Sequence, residues 1–150
     1  MLISGAYIGT DASDKVYDVA PNETYRSEAT AFIQNILGYK WVTNFGSRSG
    51  RMIPYTNPYV RLGGEYRYVR DCLSGTGRRV YQVENPDGIL PANERSFAIM
   101  KYDDTKVTAG TAYDAGTYRS VAFGFPIETL TTEKEAERLL ASVMNWFNEK

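Results

Sequence analysis

The stretch Met1-Leu2-Ile3-Ser4-Gly5-Ala6-Tyr7-Ile8-Gly9 decides how the chain is read: a strand-like apolar run ends in a G-x-x-x-G turn. Enzymes that build an active site on a sharp strand-to-helix turn place a Ser or Cys at its centre, where the side chain stands at the end of the sheet. Tyr7 holds that position here, and the chain contains no histidine. A hydroxyl or thiol nucleophile at neutral pH needs a base beside it, and imidazole is the side chain best poised for the role. The elbow therefore reads as architecture without its nucleophile.

Outward from this turn, two segments carry helical periodicity. Residues 24–37 set Tyr25, Ala29, Phe32, Ile33, Ile36 and Leu37 on one stripe, with Gly38 as the stop signal. Residues 132–148 repeat the pattern with Ala136, Leu139, Leu140, Val143, Met144 and Phe147. Thr132 followed by Glu135 predicts a capping box, and Glu133, Glu135 and Glu137 suit the positive end of the helix dipole. Between the helices, β-branched and aromatic residues predict strands at Tyr39–Asn44, Arg51–Pro54, Tyr66–Arg70, Arg79–Val83, Ser96–Tyr102, Val107–Tyr113 and Tyr118–Phe125. Ser96–Tyr102 and Val107–Tyr113 are close enough to form a hairpin. Gly, Pro, Asn and Asp mark the turns, among them Asn85–Gly88.

With 150 residues, 43% hydrophobic and 23% charged, the chain is one domain long enough to bury a core without disulfides. A net charge of −1 argues against nucleic-acid and membrane-surface partners, which need a basic excess. With one cysteine and no histidine, a zinc or haem site of ordinary type has no ligands, and no cofactor is expected. The charge is uneven. Seven arginines and no lysine lie from Arg48 to Arg79, against Glu65 and Asp71.

The opening Leu2–Gly9, the segment Tyr39-Lys40-Trp41-Val42-Thr43-Asn44, and Tyr118–Leu130 before the last helix resemble the C-terminal part of secreted Bacteroidetes proteins labelled xanthan lyase or golvesin-like. The resemblance covers most of the chain. It implies a single degenerate class I glutamine amidotransferase-like domain over residues 1–150. The expected fold is α/β, a partial flavodoxin-like sheet with a β-rich middle insertion and a C-terminal helix. In active members a cysteine stands at the elbow and a His-x-Glu pair follows the last core strand. Here Tyr7 replaces the first and Pro126-Ile127-Glu128 the second, so the glutamate alone remains. The resemblance also implies export to an extracellular or periplasmic place, although no signal peptide is present in these residues. The chain starts inside a strand and reads as the C-terminal part of a larger protein. Its open sheet edge is then expected to meet a second copy or a neighbouring domain.

The candidate binding cleft comprises Tyr7, Asp11, Asn44, Ser47, Arg48 and Glu128, with no catalytic residue expected. Tyr7 and Glu128 read either as a remnant pocket at the strand ends or as a structural turn with an acid near a helix N-terminus. Asp11 and Asp14 add acidity there, or cap the next turn. Asn44–Arg51 is a polar, glycine-flanked loop suited to ligand contact. The arginines, interleaved with Tyr55, Tyr59, Tyr66, Tyr68 and Tyr81, suit an anionic polysaccharide, with guanidinium groups on carboxylates and rings on sugars. The same alternation also describes a half-exposed sheet. Ser74–Arg79 lacks the spacing of a phosphate loop and reads as a hairpin tip. Cys72 reads as a reactive thiol or as a small buried residue. The function expected is a non-catalytic binding or structural module associated with polysaccharide. The alternative is a polysaccharide lyase that uses Tyr and Arg on an anionic glycan.

Overall fold

The computed structural model describes residues 1–13, 23–70 and 81–149. Its strands are β1 (Leu2–Ser4), β2 (Tyr39–Thr43), β3 (Arg51–Pro54), β4 (Tyr66–Arg67), β5 (Gly88–Pro91), β6 (Ser96–Tyr102), β7 (Thr108–Asp114) and β8 (Arg119–Phe123). Its helices are α1 (Ile8–Ser13), α2 (Glu23–Asn35) and α3 (Glu133–Asn148), with a 3-10 turn at Ile127–Thr129. Six strands form one sheet in the order β1-β8-β7-β6-β3-β4, and β2 pairs with β5 in a separate ribbon.

The fold is mixed α/β with a C-terminal helix. β1 runs parallel to β8, while the other four pairings of the six-stranded sheet are antiparallel. A flavodoxin-like sheet is parallel throughout, whereas here the β1–β8 pair alone is parallel within this sheet. The β-rich middle does not stand apart: β3, β4, β6 and β7 are hydrogen-bonded into the same sheet as β1 and β8.

The sheet is covered on both faces, because alternate residues of a strand point to opposite sides. Val121 and Phe123 of β8, with Leu2 beside them, enter the core under α3, which contributes Leu139, Val143 and Trp146. Ala122 and Ile3 face the other way, toward Ile33 and Leu37 of the α2 segment, Tyr39 and Ile89. Each fully buried side chain of α3 contributes about 1.5–3 kcal/mol. The capping box forms as predicted: Thr132 Oγ1 accepts from Glu135 N, and Thr132 N donates to the Glu135 carboxylate.

Both helical stripes are narrower than their sequence patterns. Along α2 and the two residues that follow it, Ile33 and Leu37 are buried while Phe32 and Ile36 are exposed. On α3, Trp146 is buried in place of the exposed Leu140 and Met144. Gly38 follows α2 with φ of +77°, and a Cβ there would lie 2.4 Å from the Tyr113 side chain. The segment therefore needs glycine for both its backbone and the close approach. Among the described residues no helix is long and apolar enough to cross a membrane.

Candidate functional site

The elbow is built differently from a nucleophile turn. Among the described residues Lys106 is the one non-glycine at positive φ, so Tyr7 stands on relaxed backbone. Gly5 and Gly9 do not have positive φ either. They supply room: a Cβ on Gly9 would lie 2.9 Å from the Trp41 ring and 3.1 Å from Asp87 Oδ2, and one on Gly5 would lie 2.8 Å from Ile8.

Asp87 is the residue around which the elbow is organised. Its Oδ2 accepts from the backbone N–H groups of Gly9 at 2.8 Å and Thr10 at 3.3 Å. Its Oδ1 accepts from Thr10 Oγ1 at 2.5 Å and Trp41 Nε1 at 3.2 Å, and the same indole N–H reaches Thr10 Oγ1 at 2.9 Å. Its backbone N–H donates to Gly124 O at 2.8 Å, and its carbonyl accepts from the Tyr102 hydroxyl at 2.9 Å. One residue thus ties the first turn of α1 to β2, β6 and the end of β8. The amides at the start of a helix are where an external anion would sit. Here the chain's own carboxylate fills that place. Asp87 is 1% exposed, and burial pushes its carboxyl up to about 6 against the four donors that favour the charged form.

A groove of about 290 Å³ opens beside this turn, lined by Gly5, Ala6, Tyr7, the chain from Tyr81 to Glu84, and Pro126. Tyr7 is 45% and Tyr81 56% exposed. Both rings are anchored through their hydroxyls: Asn85 Nδ2 donates to Tyr7 Oη at 3.3 Å, and Tyr81 Oη donates to Glu128 Oε1 at 2.9 Å. Burial first, then the bond to Glu128, pushes the Tyr81 hydroxyl up to about 12. Glu128 sits in the 3-10 turn that follows β8 and is exposed.

The six sequence-derived site residues fall into separate surroundings. Tyr7 and Glu128 reach the groove region through Asn85 and Tyr81. Asp11 is exposed on α1, its backbone N–H on Tyr7 O at 2.8 Å, and its side chain makes no hydrogen bond among the described residues. Asn44 is half-buried, likewise without a side-chain bond among them.

Ser47 and Arg48 belong to a structural turn held by Asp104. Ser47 Oγ donates to Asp104 Oδ1 at 2.8 Å, and the amides of Arg48 and Ser49 donate to Oδ2 at 2.7 and 3.0 Å. Ser47 is buried with its hydroxyl engaged in the turn, and the Arg48 side chain is exposed. Burial opposes the charge of Asp104, but the bonds from Ser47, Arg48, Ser49 and Thr105 keep its carboxyl below the usual range.

The arginine- and tyrosine-rich middle divides in the same way. Tyr66 and Tyr68 are core residues, and Tyr66 carries the Arg138 guanidinium 4.6 Å over its ring. Arg51 is paired with Glu65 and, at 2.8 Å, with Asp103. Arg70 donates to the carbonyls of Ser47 and Glu84. Arg48, Arg61, Arg67, Tyr59 and Tyr81 remain exposed. Asp14, Cys72, Ser74–Gly77 and Arg78–Arg79 lie outside the described residues.

Sequence reasoning missed Asp87, which reads as an ordinary turn residue before a glycine, and β5, whose short Gly88–Pro91 span is framed by turn formers. Among the described residues no group of three or more His, Cys, Asp and Glu is placed to hold a metal ion. No family model, no curated protein and no solved structure matches the chain.

Proposed function

We propose that the chain is a non-catalytic binding module of an exported, polysaccharide-associated protein, and that the groove beside the elbow holds a saccharide ring against Tyr7 and Tyr81. The carrying observation is the pair of exposed, hydroxyl-anchored tyrosines lining one groove with polar groups beside them. Such rings offer apolar faces for sugar C–H groups at low entropy cost, and the surrounding amides and carboxylates accept or donate to hydroxyls.

The amidotransferase-like origin of the domain is supported by the β1–turn–α1 unit, the parallel β1–β8 pair and a glutamate after β8. The exported setting, extracellular or periplasmic, is supported by the resemblance of the opening and closing motifs. β1 lies at the edge of the sheet, and a neighbouring domain or a second copy is proposed to adjoin it.

The binding reading is preferred to a lyase for a physical reason. A tyrosine acting as a base needs its hydroxyl lowered toward neutrality. Burial and the bond to Glu128 push the hydroxyl of Tyr81, which lines the groove, upward instead.

Calorimetric titration with neutral and acidic oligosaccharides tests the proposal. Binding that falls at least about tenfold in both Tyr7→Ala and Tyr81→Ala is expected. Binding indifferent to both substitutions removes the groove, and an unsaturated product absorbing in the ultraviolet establishes the lyase.

A further inference from the structure

A second cleft lies at the other end of the sheet, beside the start of β1 and β8 rather than their carboxyl ends. Two grooves, of about 300 and 700 Å³, share Arg95 and Asp114 in their walls. The smaller is bordered by Tyr59, Glu94, Phe97 and Trp146. The larger includes Gly116, Tyr118, Arg119 and Phe147.

The smaller groove has an aromatic floor. The Tyr59 ring packs tilted on Phe97 with centroids 5.0 Å apart, and Phe97 meets Trp146 edge-on at 5.9 Å. Tyr59 is nevertheless 55% exposed, so the supported ring still offers surface to a ligand.

Arg95 stands where the grooves meet. Gly116 makes room for it, since a Cβ at that position would lie 2.7 Å from Arg95 Nη2, and the φ of +86° independently favours glycine. The other charged groups nearby are already engaged. Asp114 accepts from Gly116 N at 2.8 Å and Arg119 Nε at 3.1 Å. Arg119 also donates to the carbonyls of Trp146 and Glu149 and lies 5.1 Å from the Trp146 ring. Asp114 acts on Arg95 through space, but among the described residues no carboxylate is hydrogen-bonded to its guanidinium. Glu94 and Glu149 also border the cleft, so net attraction for an anion is small. Recognition must come from the planar fork of Arg95 itself.

We propose that this cleft binds a saccharide bearing a carboxylate, with a sugar ring on Tyr59 and the carboxylate bridged by Arg95. The site is independent of the elbow groove; it takes from the glycan-module reading only the choice of a saccharide as the carboxylate's carrier.

The test is calorimetric titration of the whole chain with trigalacturonate, maltotriose and acetate. Trigalacturonate is expected to bind at least about tenfold more tightly than maltotriose, and acetate not measurably. Arg95→Ala and Arg95→Lys should both remove the preference, because an ammonium cannot reproduce the fork. Tyr59→Ala should weaken trigalacturonate about tenfold, while Arg48→Ala leaves it unchanged. These side chains are exposed, so unchanged melting temperatures are expected to show that the variants fold. No trigalacturonate binding, equal binding of the neutral sugar, or a preference that survives Arg95→Ala overturns the proposal. Loss in Tyr7→Ala with retention in Tyr59→Ala would assign the ligand to the elbow groove instead.

Discussion

Asp87 and Asp104 perform the same task in two regions with opposite electrostatic outcomes. Each gathers two backbone amides and a side-chain hydroxyl from a turn distant in sequence. Asp87 has an indole N–H as well, yet its carboxyl is pushed up, while that of Asp104 is held down. Water makes the difference. Asp87 is enclosed by α1, Trp41 and Tyr102, whereas Asp104 is exposed. Donors favour the charged form in both, but removal from solvent outweighs four donors at the first site, and fails to outweigh them at the second.

The comparison is broken most severely by removing the buried carboxylate. Asp87→Ala leaves the amides of Gly9 and Thr10 and the Thr10 hydroxyl without their acceptor, and leaves the Trp41 N–H only its bond to Thr10 Oγ1. A loss of about 3 kcal/mol or more is expected in urea denaturation. A loss below about 1 kcal/mol would show that water replaces Asp87 without cost.

The pH dependence sharpens it. A carboxyl raised from its ordinary 3.8 to about 6 contributes stability that is fully present below about pH 4 and is lost as pH rises through 6. The difference corresponds to roughly 3 kcal/mol. Glu65, Asp103, Asp104 and Asp114 are lowered, so their contributions are present above about pH 4 and are lost on further acidification. Stability is therefore expected to peak near pH 4 to 5 and decline toward 7. Asp87→Asn should abolish the decline and keep the acid limb, which thermal melts across this range would show.

Asp104→Ala is the milder counterpart. Its turn is solvated, so the released amides of Arg48 and Ser49 find water, and a loss of about 1 kcal/mol is expected in the same denaturation assay. Tyr7→Phe should change stability by less than about 0.5 kcal/mol, because its hydroxyl accepts one long, exposed bond from Asn85.

Elements governed by local chemistry were legible in the chain. β3 and β6 match their predicted spans, the β6–β7 hairpin forms, and Thr132 with Glu135 starts α3 as a capping box should. Glu128, singled out in the sequence by its place after the last strand, accepts a hydrogen bond from Tyr81. What was hidden depends on distance. Asp87 meets Gly9 across 78 positions and Trp41 across 46, and nothing in an Asp-Gly turn announces such partners.

The tyrosines failed for a related reason. Alternation with arginine cannot tell a ring that covers the core, as Tyr66 does, from one exposed to a ligand, as Tyr59 is. Strand direction was equally opaque, since a two-residue strand such as β4 carries no signature of its neighbours.

The central claim is that the amides of the turn after β1 are occupied from within by the buried carboxylate of Asp87. Following the Asp87 side-chain carbon together with the Gly9 and Thr10 amides by nuclear magnetic resonance across pH 3 to 8 tests it most directly. All three should titrate with one midpoint near 6; an Asp87 midpoint below 4, or amides that ignore its ionisation, would contradict the account.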